Sequence, residues 1–258
     1  MSLTESQLNE FHERGFLFFP GLLEATRTCE LQESLDTVLE RRGPEVIREE
    51  SDGMAARLVF GAHQFSEPFG QLASSPDLVS PVGQILEEEI YLHQSRINPK
   101  LGMGQGGAWT WHQDYPPWKT IDGMAEPRCI VVAVFLDDCT PVNSPLLLIP
   151  GSHNHGLLDS QPLTDSSRHG YDLHGITTTD VEQLAADHGI EPLIGPAGSV
   201  ALVHCNLVHG SANNVSPWRR AILYLVYNAV SNACTDTSRP WYQNNRDFTP
   251  LSQAGNPE

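Results

Sequence analysis

The sequence predicts a mainly β domain with flanking helices, and three observations carry that reading. Short runs rich in Val, Ile, Leu and Tyr recur from about residue 90 onward, at 90–98, 129–136, 146–149, 199–204 and 221–228. Gly, Pro, Asn and Asp bound these runs, as turn residues bound strands. No helical pattern follows each run, which argues for an antiparallel barrel or sandwich and against a doubly wound sheet.

The elements follow in order. Thr4 to Arg14 reads as a first helix, with Thr4 and Gln7 as a capping box, Leu8 and Phe11 on one apolar face and Gly15 as the stop. Phe16 to Phe19 reads as a short strand ended by Pro20-Gly21. A second amphipathic helix is expected over about 25–41, because Leu31, Leu35, Val38 and Leu39 fall at helical spacing. The helices of the first third are expected to pack outside the strands. Residues 154–190 are polar and read as an insertion with a short helix at 180–188, and the tail after Arg246 is expected to fray. No repeat or linker divides the chain. One domain spans 1–258, with a helical part over about 1–85, a β core over about 86–230 and a polar tail over about 240–258.

Composition narrows the functions. The 258 residues are 40% hydrophobic, enough for a sizeable core, and 18% charged, which argues against disorder throughout. A formal charge of −17 argues against nucleic acid as a partner, since phosphate backbones need clustered Lys and Arg. No run of about 18 apolar residues occurs, so no membrane span is expected. The start, MSLTESQLNEFHERGF, lacks a basic stretch before an apolar one and so carries no secretory signal. The five cysteines (Cys29, Cys129, Cys139, Cys205 and Cys234) are scattered without a C-x-x-C pair, which suits a reducing cytoplasm. A homodimer is the default oligomer and nothing more.

Chemistry gathers around His112 and Asp114, in Trp111-His112-Gln113-Asp114. In an extended segment, residues two apart face the same way, so both side chains can reach one ion. His209, in Val208-His209-Gly210-Ser211, is the best third ligand, because it follows the strand over 199–204. Two imidazoles and one carboxylate on one face of an octahedral ion leave three positions open, the arrangement of non-haem iron(II) oxygenases. A structural zinc site would instead be closed by four ligands.

An Arg sharpens this. Arg220 stands 11 residues after His209, at the head of the last strand. Alternation sets Arg220, Ile222, Tyr224 and Val226 on one face and Arg219, Ala221, Leu223 and Leu225 on the other. An inward guanidinium needs an anion, and a dicarboxylic acid would supply one. The bland alternative is that Arg219 or Arg220 pairs with a local acid.

Segments along most of the chain resemble the phytanoyl-CoA dioxygenase superfamily, and within it the ectoine hydroxylase branch. They are 3–23 (LTESQLNEFHERGFLFFPGLL), 93–100 (HQSRINPK), 111–123 (WHQDYPPWKTIDG), 145–153 (PLLLIPGSH) and 205–220 (CNLVHGSANNVSPWRR). The resemblance implies a double-stranded β-helix, a jelly-roll or cupin-like core. It implies Fe(II) held by His112, Asp114 and His209, with O2 as co-substrate and 2-oxoglutarate anchored by Arg220. Lys100 would touch the same co-substrate, with Asn98 and Ser211 as further polar neighbours. Gln94 and Trp118 match positions that hold the substrate in that branch, and Tyr224 matches an aromatic facing the pocket. Related halogenases put a small residue at the carboxylate position, so Asp114 favours hydroxylation.

The chain also departs from that branch. Val203-His204 stands where an aromatic and an Asp are usual, the stretch LGMGQGGAW is one residue longer, and Pro116-Pro117 flank Trp118. These changes fall on the predicted pocket wall, so the resemblance does not name ectoine as the substrate. The polar candidates suit a small amino acid or cyclic zwitterion better than a long acyl chain. A carrier-bound amino acid or a terpenoid acid is the rival substrate. A non-catalytic cupin-like metal binder and a zinc hydrolase are the rival classes, and both leave Arg220 and Lys100 unexplained.

Overall fold

The computed structural model describes residues 1–49, 53–162 and 173–251. Two antiparallel sheets face each other with helices covering the outer face of the larger one, a jelly roll with flanking helices.

The first helix, α1 (Glu5–Arg14), begins at the capping box the sequence predicts and ends at Gly15, whose φ of 79° suits the left-handed cap. Strand β1 (Phe16–Phe19) and helix α2 (Ala25–Leu39) follow as expected. The next segment carries more than the helical pattern suggested: β2 (Val46–Arg48), β3 (Ala56–Phe60), α3 (Ala62–Phe65), α4 (Glu67–Ala73) and α5 (Pro76–Leu86). Residues 1–85 therefore contribute three strands to the same sheet as the later chain, rather than helices alone.

The long strand β4 (Ile90–Asn98) has the predicted bounds, followed by β5 (Trp109–His112), a short helix α6 (Tyr115–Thr120) and β6 (Cys129–Phe135). Next come β7 (Leu146–Leu148), β8 (Ser160–Pro162), β9 (His174–Ile176), α7 (Thr178–His188), β10 (Glu191–Leu193), β11 (Val200–His204), β12 (His209–Ser211) and β13 (Ile222–Ala229). The larger sheet runs β1-β11-β6-β13-β4-β3-β2 and the smaller β10-β7-β12-β5-β9-β8. Part of the 154–190 insertion thus forms the edge of the smaller sheet, and its residues 163–172 lie outside the described residues.

Two apolar layers explain why every residue of β4, β6 and β13 is buried. Leu223 and Leu225 of β13 face α2, α4 and α5 through Leu31, Leu35, Leu72 and Val79. Ile222, Tyr224 and Val226 face the other way, into the layer shared with Leu146, Leu148 and Leu193 of the smaller sheet. Alternation on a sheet covered on both faces produces this division.

The tail corrects the sequence expectation as far as residue 251. Asn245 N donates to His93 O, Leu251 N donates to Ile90 O at 2.8 Å, and Phe248 packs edge-on against Tyr91. A polar stretch can dock on a sheet when its backbone finds partners there, so residues 247–251 do not fray. Residues 252–258 lie outside the described residues.

Candidate active site

His112 ends β5 and His209 opens β12, and the two are directly paired across the smaller sheet. Their ring centroids lie 4.1 Å apart. Nδ1 of His112 is 2.6 Å from Thr110 O, and Nδ1 of His209 is 2.9 Å from Leu207 O. A carbonyl oxygen only accepts, so each Nδ1 carries its proton and each Nε2 presents a lone pair.

Asp114 does not sit in the extended segment the sequence suggested. Its φ of −77° and ψ of −28° are helical, and it caps α6, where Pro116 and Pro117 favour an opening turn. The carboxylate still converges with the rings. Oδ1 lies 3.7 Å from His112 Nε2, and Oδ2 lies 3.9 Å from His209 Nε2. One ligand atom from each of the three residues falls within 4.8 Å of the others. That spacing suits a single ion.

The electrostatics keep these groups in ligating form. Burial, and then His209, push the His112 imidazole down to about 3, so it stays neutral. Burial drives the Asp114 carboxyl up, but Arg96, His209 and His112 outweigh it and hold the group below its usual range. Arg96 Nη2 donates to Asp114 Oδ2 at 2.7 Å, while Oδ1 is buried with no partner. A buried carboxylate oxygen left open 3.7 Å from the lone pair of His112 Nε2, with the His209 ring beside it, calls for a cation.

A cleft opens over this centre, lined among others by Leu58, Arg96, Asn98, Trp109, Ser211 and Tyr224. Asn98 Oδ1 is buried without a partner. Arg220 is 1% exposed, its Nε donates to Ser144 O, and its Nη1 is buried without a partner beside Tyr224. Arg219 faces outward and pairs with Asp137 and Asp36. Of the two arginines, Arg219 takes the local acids and Arg220 keeps an open donor inside.

The structure does not bring every predicted residue to the cleft. Lys100 turns Nζ onto Gly107 O at 2.7 Å and Ala212 O at 2.9 Å, and burial with Arg220 and Arg57 pushes it down to about 6. Gln94 lies beneath, donating to Gln243 O and accepting from Arg96 Nη1. Trp118 is fully buried against His93, and its Nε1 has no partner.

Arg96 is the residue the sequence reading passed over. Alternation on β4 already set it between Gln94 and Asn98 on one face, which was the available signal. Trp109 was also missed. Among the described residues one other cluster has metal-ligating types, His93, Asp122 and Cys234. Arg239 takes both Asp122 oxygens, with Nε on Oδ1 and Nη2 on Oδ2, so this cluster is a buried ion pair.

A jelly roll presenting two imidazoles and one carboxylate beneath an open cleft is the architecture of a mononuclear non-haem iron oxygenase. The chain belongs to the phytanoyl-CoA dioxygenase (PhyH) family, whose sequence model matches residues 11–222. It is 34% identical to an L-proline trans-4-hydroxylase of Streptomyces griseoviridis, over 92% of this chain and 91% of that one. It is 33% identical to an ectoine dioxygenase of Nocardia farcinica, over 95% and 86%. The crystal structure of EctD from S. alaskensis with 2-oxoglutarate and 5-hydroxyectoine superposes with a TM-score of 0.82 at 30% identity, covering 95% of this chain and 84% of that one. Among the described residues no helix is long and apolar enough to cross a membrane.

Proposed function

We propose that this chain is an Fe(II)- and 2-oxoglutarate-dependent dioxygenase that hydroxylates an unactivated C–H bond of a small amino-acid-like or cyclic zwitterionic molecule. The observation that carries the reading is the convergence of the buried Asp114 carboxylate, its Oδ1 without a partner, with two imidazoles whose tautomers are already set for ligation. His112, Asp114 and His209 would hold the iron. Bound there with 2-oxoglutarate, it would supply the O2-dependent oxidation that releases succinate and CO2.

The side chains of this chain then bind, orient and exclude water. Arg220 offers an unpartnered guanidinium nitrogen for the distal carboxylate of the co-substrate, with Ser211 and Asn98 nearer the cleft. Lys100 ties the backbone at Gly107 to that at Ala212 and so braces the loops beside the site. Arg96 lines the cleft and is steadied by Gln94, which suits a substrate carboxylate. Trp118 lies below, 6.0 Å from the Arg96 guanidinium carbon. The relatives named for L-proline and for ectoine support a small cyclic substrate. The five free cysteines suit a reducing cytoplasm.

The test is incubation with Fe(II), 2-oxoglutarate, O2 and either L-proline or ectoine. Succinate should form in step with a product one oxygen heavier. Absence of such a product across a panel of small cyclic amino acids would overturn the substrate reading.

A further inference from the structure

We propose that His155 and His188 form a second metal site, apart from the iron centre, which takes a divalent ion of the zinc class and ties the end of α7 to the turn after β7. This pair stands outside the two clusters of three described above. Its Nε2 atoms lie 3.4 Å apart, with the two rings nearly perpendicular at 81°. Only one of the two nitrogens could donate to the other, and 3.4 Å lies past the usual hydrogen-bond range of about 2.7–3.2 Å. A zinc ion fits the gap better. Two imidazole nitrogens, each about 2.0–2.1 Å from one tetrahedral ion, stand about 3.3–3.4 Å from each other.

Both rings are carried on anchored pieces of chain. His155 closes a 3-10 turn, Ser152–His155, set between Gly151 at φ 74° and Gly156 at φ 69°. Ser152 pins that turn, its Oγ donating to Ile149 O at 2.7 Å and accepting from Val208 N at 2.9 Å. His188 is the last residue of α7, where Gly189 N donates to Ala185 O. A Cβ at residue 151 would meet His188 Nδ1 at 3.3 Å, so the glycine lets the imidazole lie close against the turn. Ligands already placed by the fold lose little freedom when an ion arrives.

Among the described residues no third metal-ligating side chain joins the pair, and both histidines are exposed, so water completes the coordination. Imidazole ligands without a carboxylate favour zinc over magnesium and calcium, which require oxygen. Two protein ligands in place of four set the dissociation constant on the order of 10 micromolar. The residue after His155 links the site to the iron centre. Gly156 O accepts from Gln113 Nε2 at 2.8 Å, and Leu158 N donates to Gln113 Oε1 at 3.0 Å. Gln113 stands between His112 and Asp114, so an ion that fixes His155 also steadies the stretch on which Gln113 rests.

The test is equilibrium dialysis of the tag-free protein at neutral pH against free Zn(II) at about ten times that constant, with bound metal counted by atomic emission. Wild type should hold one more zinc ion per chain than His155→Gln, and one more than His188→Gln, whatever the iron centre takes. The double variant should lose no more than either single one, because one ion needs both rings. Thermal unfolding in the same buffer should show zinc raising the wild-type midpoint about 3–6 °C further than that of His188→Gln. Magnesium should show no such difference. Equal zinc counts in wild type and either single variant would overturn the inference, as would a double variant that loses two ions. Neither result bears on the oxygenase reading, which rests on other residues.

Discussion

Arg96 and Asp114 are joined by one contact, Nη2 to Oδ2 at 2.7 Å, and that contact decides which carboxylate oxygen remains for a metal. It also supplies much of the pull that keeps the buried carboxyl ionised. A guanidinium behind a ligating carboxylate sets its orientation as firmly as the backbone does.

Arg96→Met should therefore weaken iron binding about 10- to 100-fold, the usual cost of losing such a partner. Titration of the apo protein with Co(II) under anaerobic conditions, followed in the visible region, measures this. Unchanged affinity would show that the ion pair is structural only.

Arg220→Ala should raise the KM for 2-oxoglutarate about 10- to 100-fold, since a hydrogen bond to a charged group contributes roughly 1.5–3 kcal/mol. Arg219→Ala should leave it unchanged, because Arg219 is occupied by Asp137 and Asp36. Initial-rate kinetics on both variants separates the two faces of β13, and the reverse pattern would overturn the assignment.

How much of this could be read in advance depends on what each residue answers to. The bounds of β4 and the inward turn of Arg220 were legible because a period of two is a property of the local chain. The helical turn at Asp114 was not, since the segment continues a strand and only Pro116-Pro117 argued otherwise. Helix α5 hides behind an internal Pro81. The place of Trp109 depends on a bulge, which is set by pairing between strands far apart in the chain and leaves no mark on the residue itself. Lys100 shows the same limit, because nothing local told its Nζ to choose the carbonyls of Gly107 and Ala212.

Stability should fall in acid through histidines remote from the metal. Burial pushes His63 down to about 4, and burial with His153 and His12 pushes His204 to about 4, from an ordinary 6.5. A group whose folded pKa is depressed stabilises fully above its unfolded value, and that contribution is lost as pH falls toward the folded value. The apo protein should thus lose stability between about pH 6.5 and 4. Urea unfolding at several pH values checks this, and His63→Gln should lower the slope over that window by about one proton.

Arg239→Leu should destabilise the fold by about 3–5 kcal/mol, because it strands the fully buried Asp122 carboxylate. Chemical denaturation gives the value. A cost below about 1 kcal/mol would mean that the pair is as weak as one on the surface.

The central claim is that His112, Asp114 and His209 share one ferrous ion with room for a chelating keto acid. Its most direct test is anaerobic addition of Fe(II) and 2-oxoglutarate, read by visible absorption. A weak charge-transfer band should appear with wild type and vanish in His112→Ala. A band of equal strength in that variant, or none in wild type, would contradict the account.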